Sequence, residues 1–171
     1  MINSQLEVLT QAKDYLNTVS THHYNEVIKP NFISSAGAHI RHIIDHYQAI
    51  ILGLENKHID YDKRERHSDI ETTPSIALAK IVNISQWLTS LTADQLSNLV
   101  TLSTEVSISN CQVETVKTTV ARELVFAASH AVHHYAMIAQ IALQQQHTLP
   151  LHFGIAPATA TYLREQANKP H

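Results

Sequence analysis

Between Leu124 and Leu143 the chain runs for 20 residues, LVFAASHAVHHYAMIAQIAL, without one Asp, Glu, Lys or Arg. Such a segment has to leave water, either in a bilayer or inside a protein. About 20 apolar residues span a hydrocarbon core roughly 30 Å thick, so length alone does not decide. Against the bilayer, His130, His133, His134, Ser129 and Gln140 lie inside the stretch, and much of the rest is alanine rather than leucine. A helix at the centre of a bundle, apolar all round, accounts for the same sequence. The expectation is a buried helix of a soluble protein with no membrane partner.

The rest of the chain has few breakers, 3 glycines and 5 prolines in 171 residues, which favours long helices. Leu6, Leu9, Ala12, Leu16 and Val19 repeat at helical spacing, so a first helix runs from about Ser4 into the twenties and Pro30 ends it. Ser34 or Ser35 caps a second, reaching Leu54 with Ile40, Ile43, Ile44, Tyr47, Ile50, Ile51 and Leu54 inward. The polar passage NKHIDYDKRERHSDIETT then reads as a surface connection. Pro74 opens a third helix, about Ser75 to Leu91, with Ile76, Leu78, Ile81, Ile84, Trp87, Leu88 and Leu91 inside. From Leu96 to about Val116 the period changes to alternation, with a turn at Ser109-Asn110, which predicts a β-hairpin. The fourth helix runs from Thr118 or Thr119 to about Gln146, and the tail is expected to be packed irregular chain with a short helical turn, burying Phe153, Ile155 and Tyr162. The fold class is therefore mainly all-α. It is an up-and-down four-helix bundle with a small β-hairpin insertion before the last long helix, filling one domain over residues 1–171.

A net charge of −3 and only 12 Lys and Arg, with no basic stripe, leave no footprint for nucleic acid. The single cysteine, Cys111, excludes an intramolecular disulfide and any multi-cysteine zinc site, and suits a reducing cytoplasm. The start MINSQLEVLTQAKDY has no basic residue followed by an apolar run, so no signal peptide is expected. Histidine is the anomaly: its 13 copies outnumber Lys and Arg together.

The histidines are not scattered. His130 and His134 lie four apart on the fourth helix, about 40° apart around its axis and about one turn apart along it. Two imidazoles so placed can hold one ion, and a third ligand has to come from elsewhere. The second helix carries HIRHIIDHY, with His39, His42 and His46 at helical spacing. A lone histidine on an apolar face is usually a hydrogen-bonded core residue. Two clusters on separate helices favour an ion, because each imidazole buried without a partner costs about 1–3 kcal/mol. Neutral imidazole suits zinc, nickel, iron and copper. Three histidines with one open position is a catalytic arrangement.

Other chemistries fail on inspection. Only Glu55-Asn-Lys-His58 matches the Glu-x-x-His that di-iron bundles need twice, and it falls at a helix end. There is no His-Glu-x-x-His, no Gly-x-Ser-x-Gly and no phosphate-cradling glycine loop. Cys111 has no basic neighbour nearer than Lys117 to activate it as a nucleophile. Glu123, two turns before His130, reads first as a first-turn acid offsetting the helix dipole, and second as a base or ligand partner in the same cavity. The run from Tyr61 to Arg66 reads as a solvated charged loop, with an acidic-substrate contact as the other reading.

In its RHIIDHY segment, its late His-x-x-His-His run and its order of helices, the chain resembles the DinB-like superfamily (DinB/YfiT-like) of four-helix-bundle metalloproteins. The resemblance covers most of the chain. It implies one metal among three histidines, which fall here on His42, His130 and His134. His133 becomes the odd member of its run, His39 and His46 become cavity-wall residues or partners of the ligands, and Asp45 a group that could orient an imidazole. It further implies a metalloenzyme, zinc first, with nickel or iron as alternatives. The activities implied are transfer of a low-molecular-weight thiol cosubstrate, bound as thiolate, to a small electrophile, or hydrolysis of a small-molecule substrate. The competing expectations are a non-catalytic metal-binding or stress-associated bundle, and a plain helical interaction module without an ion. Bundles often pair through an outer face, so a homodimer is compatible, although no sequence feature compels it.

Overall fold

The apolar stripes become helices, and several helices open on a capping serine or threonine. The computed structural model describes residues 1–63 and 66–169. In chain order it contains α1 (Ile2–Thr18), a short α2 (Thr21–Asn25), α3 (Ala36–Asn56), β1 (His58–Asp60), a 3₁₀ turn (Asp69–Glu71), α4 (Pro74–Ser90), a short α5 (Ala93–Ser97), β2 (Leu99–Glu105), β3 (Val113–Thr119), α6 (Val120–Gln144) and α7 (Pro157–Ala167). The bundle consists of α1, α3, α4 and α6. In it α3 packs along α6 and α4, while α1 packs along α4 and α6.

Caps set the start of both site-bearing helices. Ser35 Oγ accepts from the Ala38 N–H at 3.2 Å, and Thr119 Oγ1 accepts from the Arg122 N–H at 3.2 Å. Such caps contribute about 1 kcal/mol each. The stripe Ile40, Ile43, Ile44, Tyr47 and Ile50 of α3 meets Leu124, Ala127, Ala131, Tyr135 and Ile138 of α6, all buried. Burying a side chain of this size stabilises by about 1.5–3 kcal/mol, so the α3–α6 seam is firmly held.

Several expectations need correcting. The first helix does not continue into the twenties: Val19 and Ser20 are extended, and Ser20 Oγ caps α2 through the His23 N–H at 3.1 Å. The polar passage after α3 is not all surface connection. It contains β1, which pairs parallel with β2 (Ile59 beside Leu102), so the expected β2–β3 hairpin is part of a three-stranded sheet. Gly53 allows this, since a Cβ there would lie 2.2 Å from Ile59 Cγ1. In α4, Ile76 is 37% exposed rather than inside.

Helix α6 is a corner helix, not one buried all round. Val125, Ser129, His133, Ala136 and Gln140 form an exposed stripe, in which small and polar residues cost little. No helix among the described residues is long and apolar enough to cross a membrane. The tail is more ordered than expected: α7 is an 11-residue helix with no buried residue. Phe153 is buried against Tyr15 and Tyr135, but Tyr162 is 58% exposed. Gly154, at φ +72° and tight against the backbone of Tyr135 and Ala136, fastens the tail to α6.

A candidate metal centre between two helices

The α3–α6 seam brings histidines from both helices into one cluster. His39, His42 and His46 succeed one another up α3 at spacings of three and four, and His130 and His134 face them from α6. The Nε2 atoms of His42 and His130 are 2.9 Å apart, and those of His130 and His134 are 3.0 Å apart. His46, buried, packs its ring 4.3 Å from that of His130 and 4.7 Å from that of His42. His133 is exposed, with its ring 6.3 Å from that of His130.

These distances fit a shared ion. Two nitrogens each about 2.1 Å from one ion lie about 3.0 Å apart at a right angle and about 3.4 Å apart at the tetrahedral angle. One group of three imidazoles offers ring nitrogens that all lie within 4.8 Å of one another: His42, His46 and His130. His134, the residue expected as third, joins the cluster through its Nε2 contact to His130, which in turn meets His42. His42 and His130 are common to both triads, and the third place falls to His46 in one and to His134 in the other.

Burial governs protonation here. His134 is pushed down to about 3, first by desolvation and then by the neighbouring His130, His42, His39 and His133. His39 is lowered as well, by burial and then by His133. Rings held neutral near neutral pH are rings with a lone pair to give.

Around the cluster stands an aromatic wall. The Tyr61 ring lies 4.6 Å from that of His46 and 5.5 Å from that of Phe126, which stacks on His130 at 5.6 Å. Tyr61 O–H donates to Glu123 Oε2 at 2.8 Å, and Glu123 Oε1 accepts from Thr118 Oγ1 at 2.6 Å and Arg122 Nη1 at 2.8 Å. Glu123 is thus a fully buried carboxylate fastening the segment after β1 to α6, beyond the first-turn acid that its position suggests. Burial, and then the bond to Glu123, raise the Tyr61 hydroxyl pKa. Asp45 receives Arg41 Nη1 at 2.5 Å, and Arg41 also reaches Glu71 at 3.3 Å. Of the Tyr61–Arg66 run, Arg64 and Glu65 lie outside the described residues. Sequence reasoning missed Tyr61 as part of the site wall. The sequence carried only a brief alternation, Ile59 and Tyr61, both buried, on either side of Asp60, which is too short to mark a strand.

Two grooves lie elsewhere. One of about 830 Å³ runs along α3 and β1 between Asp45 and Lys63. Another of about 580 Å³ lies beneath α7, against α1 and the exposed stripe of α6.

Fold and site together define a helical bundle with a histidine cluster suited to a metal ion between two of its helices. The DinB family model matches residues 1–150, and the chain belongs to the DinB family. It is similar in fold to the crystal structure of a DinB-like protein, YjoA, from Bacillus subtilis, with a TM-score of 0.61 and 18% identity over 89% of this chain and 96% of that one. A stretch of 108 residues, 63% of the chain, is 30% identical to FK506-binding protein 5 of Rhizopus delemar. The match spans only 28% of that longer protein.

Proposed function

We propose that this chain is a divalent-metal-dependent enzyme in which His42, His130 and His134 hold one ion, zinc first and nickel or iron as alternatives. It transfers a low-molecular-weight thiol to a small electrophile, or hydrolyses a small substrate, in the cytoplasm. Its partners are small molecules, and no nucleic acid or membrane is among them. A homodimer is compatible with this reading.

One observation carries it. His130 Nε2 stands within 3.0 Å of two other Nε2 atoms, those of His42 and His134. A neutral ring nitrogen has either one N–H or one in-plane lone pair, so hydrogen bonding serves one such neighbour well and not two. An ion at the centre serves all three. Such an ion would deprotonate a thiol, or lower the pKa of a water, that reaches an open position. The chain's own residues supply the rest: His46, Tyr61 and Phe126 close one side of the cluster, and Glu123 holds Tyr61 there.

A non-catalytic metal-binding bundle is the second reading. It is favoured by the 830 Å³ groove, which is lined by Asp45 beside the cluster but by none of the clustered histidines. Elemental analysis of protein purified without a metal-affinity tag should give about one ion per chain. Thiol-transfer and ester-hydrolysis assays then separate the two readings: turnover that vanishes in His130→Ala supports the enzyme, and a loaded protein inert to both supports the second. Protein without metal, even after exposure to zinc, nickel and iron, ends both.

A further inference from the structure

His39 stands one turn before His42, and it ties α3 to α6 at a second point. Its Nδ1 lies 2.8 Å from Nδ1 of His134, and its Nε2 lies 3.2 Å from Oγ of Ser34. His134 therefore meets His39 through Nδ1 and His130 through Nε2. Both ends of this row are fixed by the fold. Ser34 immediately precedes the α3 cap, and the His39 N–H is bonded to the Ser35 carbonyl at 3.3 Å.

A neutral imidazole carries its proton on one nitrogen and accepts on the other, so the row has two self-consistent states. In the first, the Ser34 hydroxyl donates to His39 Nε2 and His39 Nδ1–H donates to His134 Nδ1. His134 then turns an N–H toward His130 and has no lone pair to offer there. In the second, His39 Nε2–H donates to Ser34 Oγ, and His39 Nδ1 accepts from His134 Nδ1–H. The lone pair of His134 Nε2 now faces His130. Only the second state makes His134 a ligand.

We propose that His39 is a positioning residue that holds His134 in this ligand-competent tautomer, with Ser34 as the acceptor at the outer end. The inference rests on the metal reading above. Ligating histidines usually pass their second N–H to a carboxylate, a carbonyl or water. Here the acceptor is an uncharged ring, which fixes orientation without adding negative charge to the ligand set.

The test is titration of metal-free protein with Co²⁺, read by visible absorption and checked by elemental content. His39→Ala should weaken binding about 10–100-fold while keeping one ion at saturation, the loss typical of a ligand's hydrogen-bond partner. His39→Asn, which places an amide oxygen near the Nδ1 position, should recover most of it. Ser34→Ala should change affinity by no more than about tenfold, the scale of one neutral hydrogen bond. In zinc-loaded protein, long-range ¹H–¹⁵N correlation should find His39 protonated on Nε2, a readout that a merely structural role does not fix and that holds even if His39→Ala fails to fold. Undiminished affinity in His39→Ala overturns the proposal, as does a proton on His39 Nδ1. Complete loss of the ion in both His39 variants overturns it too, making His39 a ligand. A wild type that binds no metal sinks the metal reading and this inference together, whereas a wild type that binds beside an unaffected His39→Ala sinks this inference alone.

Discussion

Among the described residues histidines gather in two places, and one of the two brings ring nitrogens within hydrogen-bond distance of one another. Between α3 and α6, His42, His130 and His134 have Nε2 atoms 2.9 and 3.0 Å apart in sequence. Near the far end of α6, His22, His23 and His147 also cluster, but more loosely: their ring centroids are 5.6 and 6.3 Å apart, against 4.5 to 5.0 Å among His42, His130 and His134, and His147 Nε2 lies 3.5 Å from Thr18 Oγ1. Residue type is the same, so the difference lies in the scaffold. The first set stands at three- and four-residue spacing on helices of 21 and 25 residues packed along one another. The second stands on a five-residue helix and on chain beyond the end of α6. Neighbours in sequence, such as His22 and His23, diverge by about 100° on a helix, whereas residues four apart converge.

The largest break in this contrast comes from His130, the ring shared by the two short Nε2–Nε2 contacts. His130→Ala should reduce metal content from about one per chain to none. The metal-dependent rise in stability, about 2.7 kcal/mol at a free metal concentration 100 times Kd, should vanish with it. Thermal melts with and without zinc, alongside elemental analysis, measure both.

Next comes the identity of the third ligand. His134→Ala should cost nearly as much affinity as His130→Ala, and His46→Ala far less, since His46 packs against the rings while His134 points Nε2 at His130. Competition against a chelator of known affinity ranks the two. The reverse order would hand the third position to His46 and leave His134 as its neighbour.

How much of this was legible in the sequence follows the same physical division. That His130 and His134 face a histidine cluster on the second helix could be read because helical period is written in the apolar pattern around them, whereas the choice of His42 within that cluster came from the family resemblance. The caps, being local, were legible to within one residue, as Ser34 or Ser35 and as Thr118 or Thr119, and the structure puts them at Ser35 and Thr119. Tyr61 was not: its place depends on a parallel pairing of β1 with β2 across more than forty positions, and three residues of strand leave too short an alternation to read. Glu123 was half legible. Its first-turn position could be seen, but its burial against Tyr61 and Thr118 comes from the same nonlocal sheet. The helix α7 was missed because nothing in it is buried, so it lacks the apolar stripe by which the other helices announce themselves.

Acid should act on the first cluster in a direction fixed by its burial. In the folded protein His134 is lowered from 6.5 to about 3, so between those values the unfolded chain holds the extra proton. Stability of the metal-free protein should therefore fall as pH drops from about 6.5 toward about 3, and be unaffected by this group above that window. Denaturant titrations across the range should show a shallower slope in His134→Ala. With metal bound, the ligands must also stay deprotonated, so the ion should leave as pH falls through the same window.

The smallest effect is expected from the second cluster, and it is the sharpest control on the contrast. Replacing His23 and His147 together by Ala removes two rings whose centroids are 6.3 Å apart, along with one long bond to Thr18 and an edge contact between His147 and Tyr15. The bond from the Gln145 side-chain Nε2 to the His23 backbone carbonyl, at 2.8 Å, survives the substitution, so the end of α6 should stay anchored to α2. Metal content should remain about one per chain, and stability should change by no more than about 1 kcal/mol, the scale of partly exposed contacts. If the double variant instead loses half of the metal from a wild type that takes up two ions, histidine abundance rather than helix register sets binding in this chain. If it leaves a single ion in place, the spacing on α3 and α6 is what separates a ligand from a bystander.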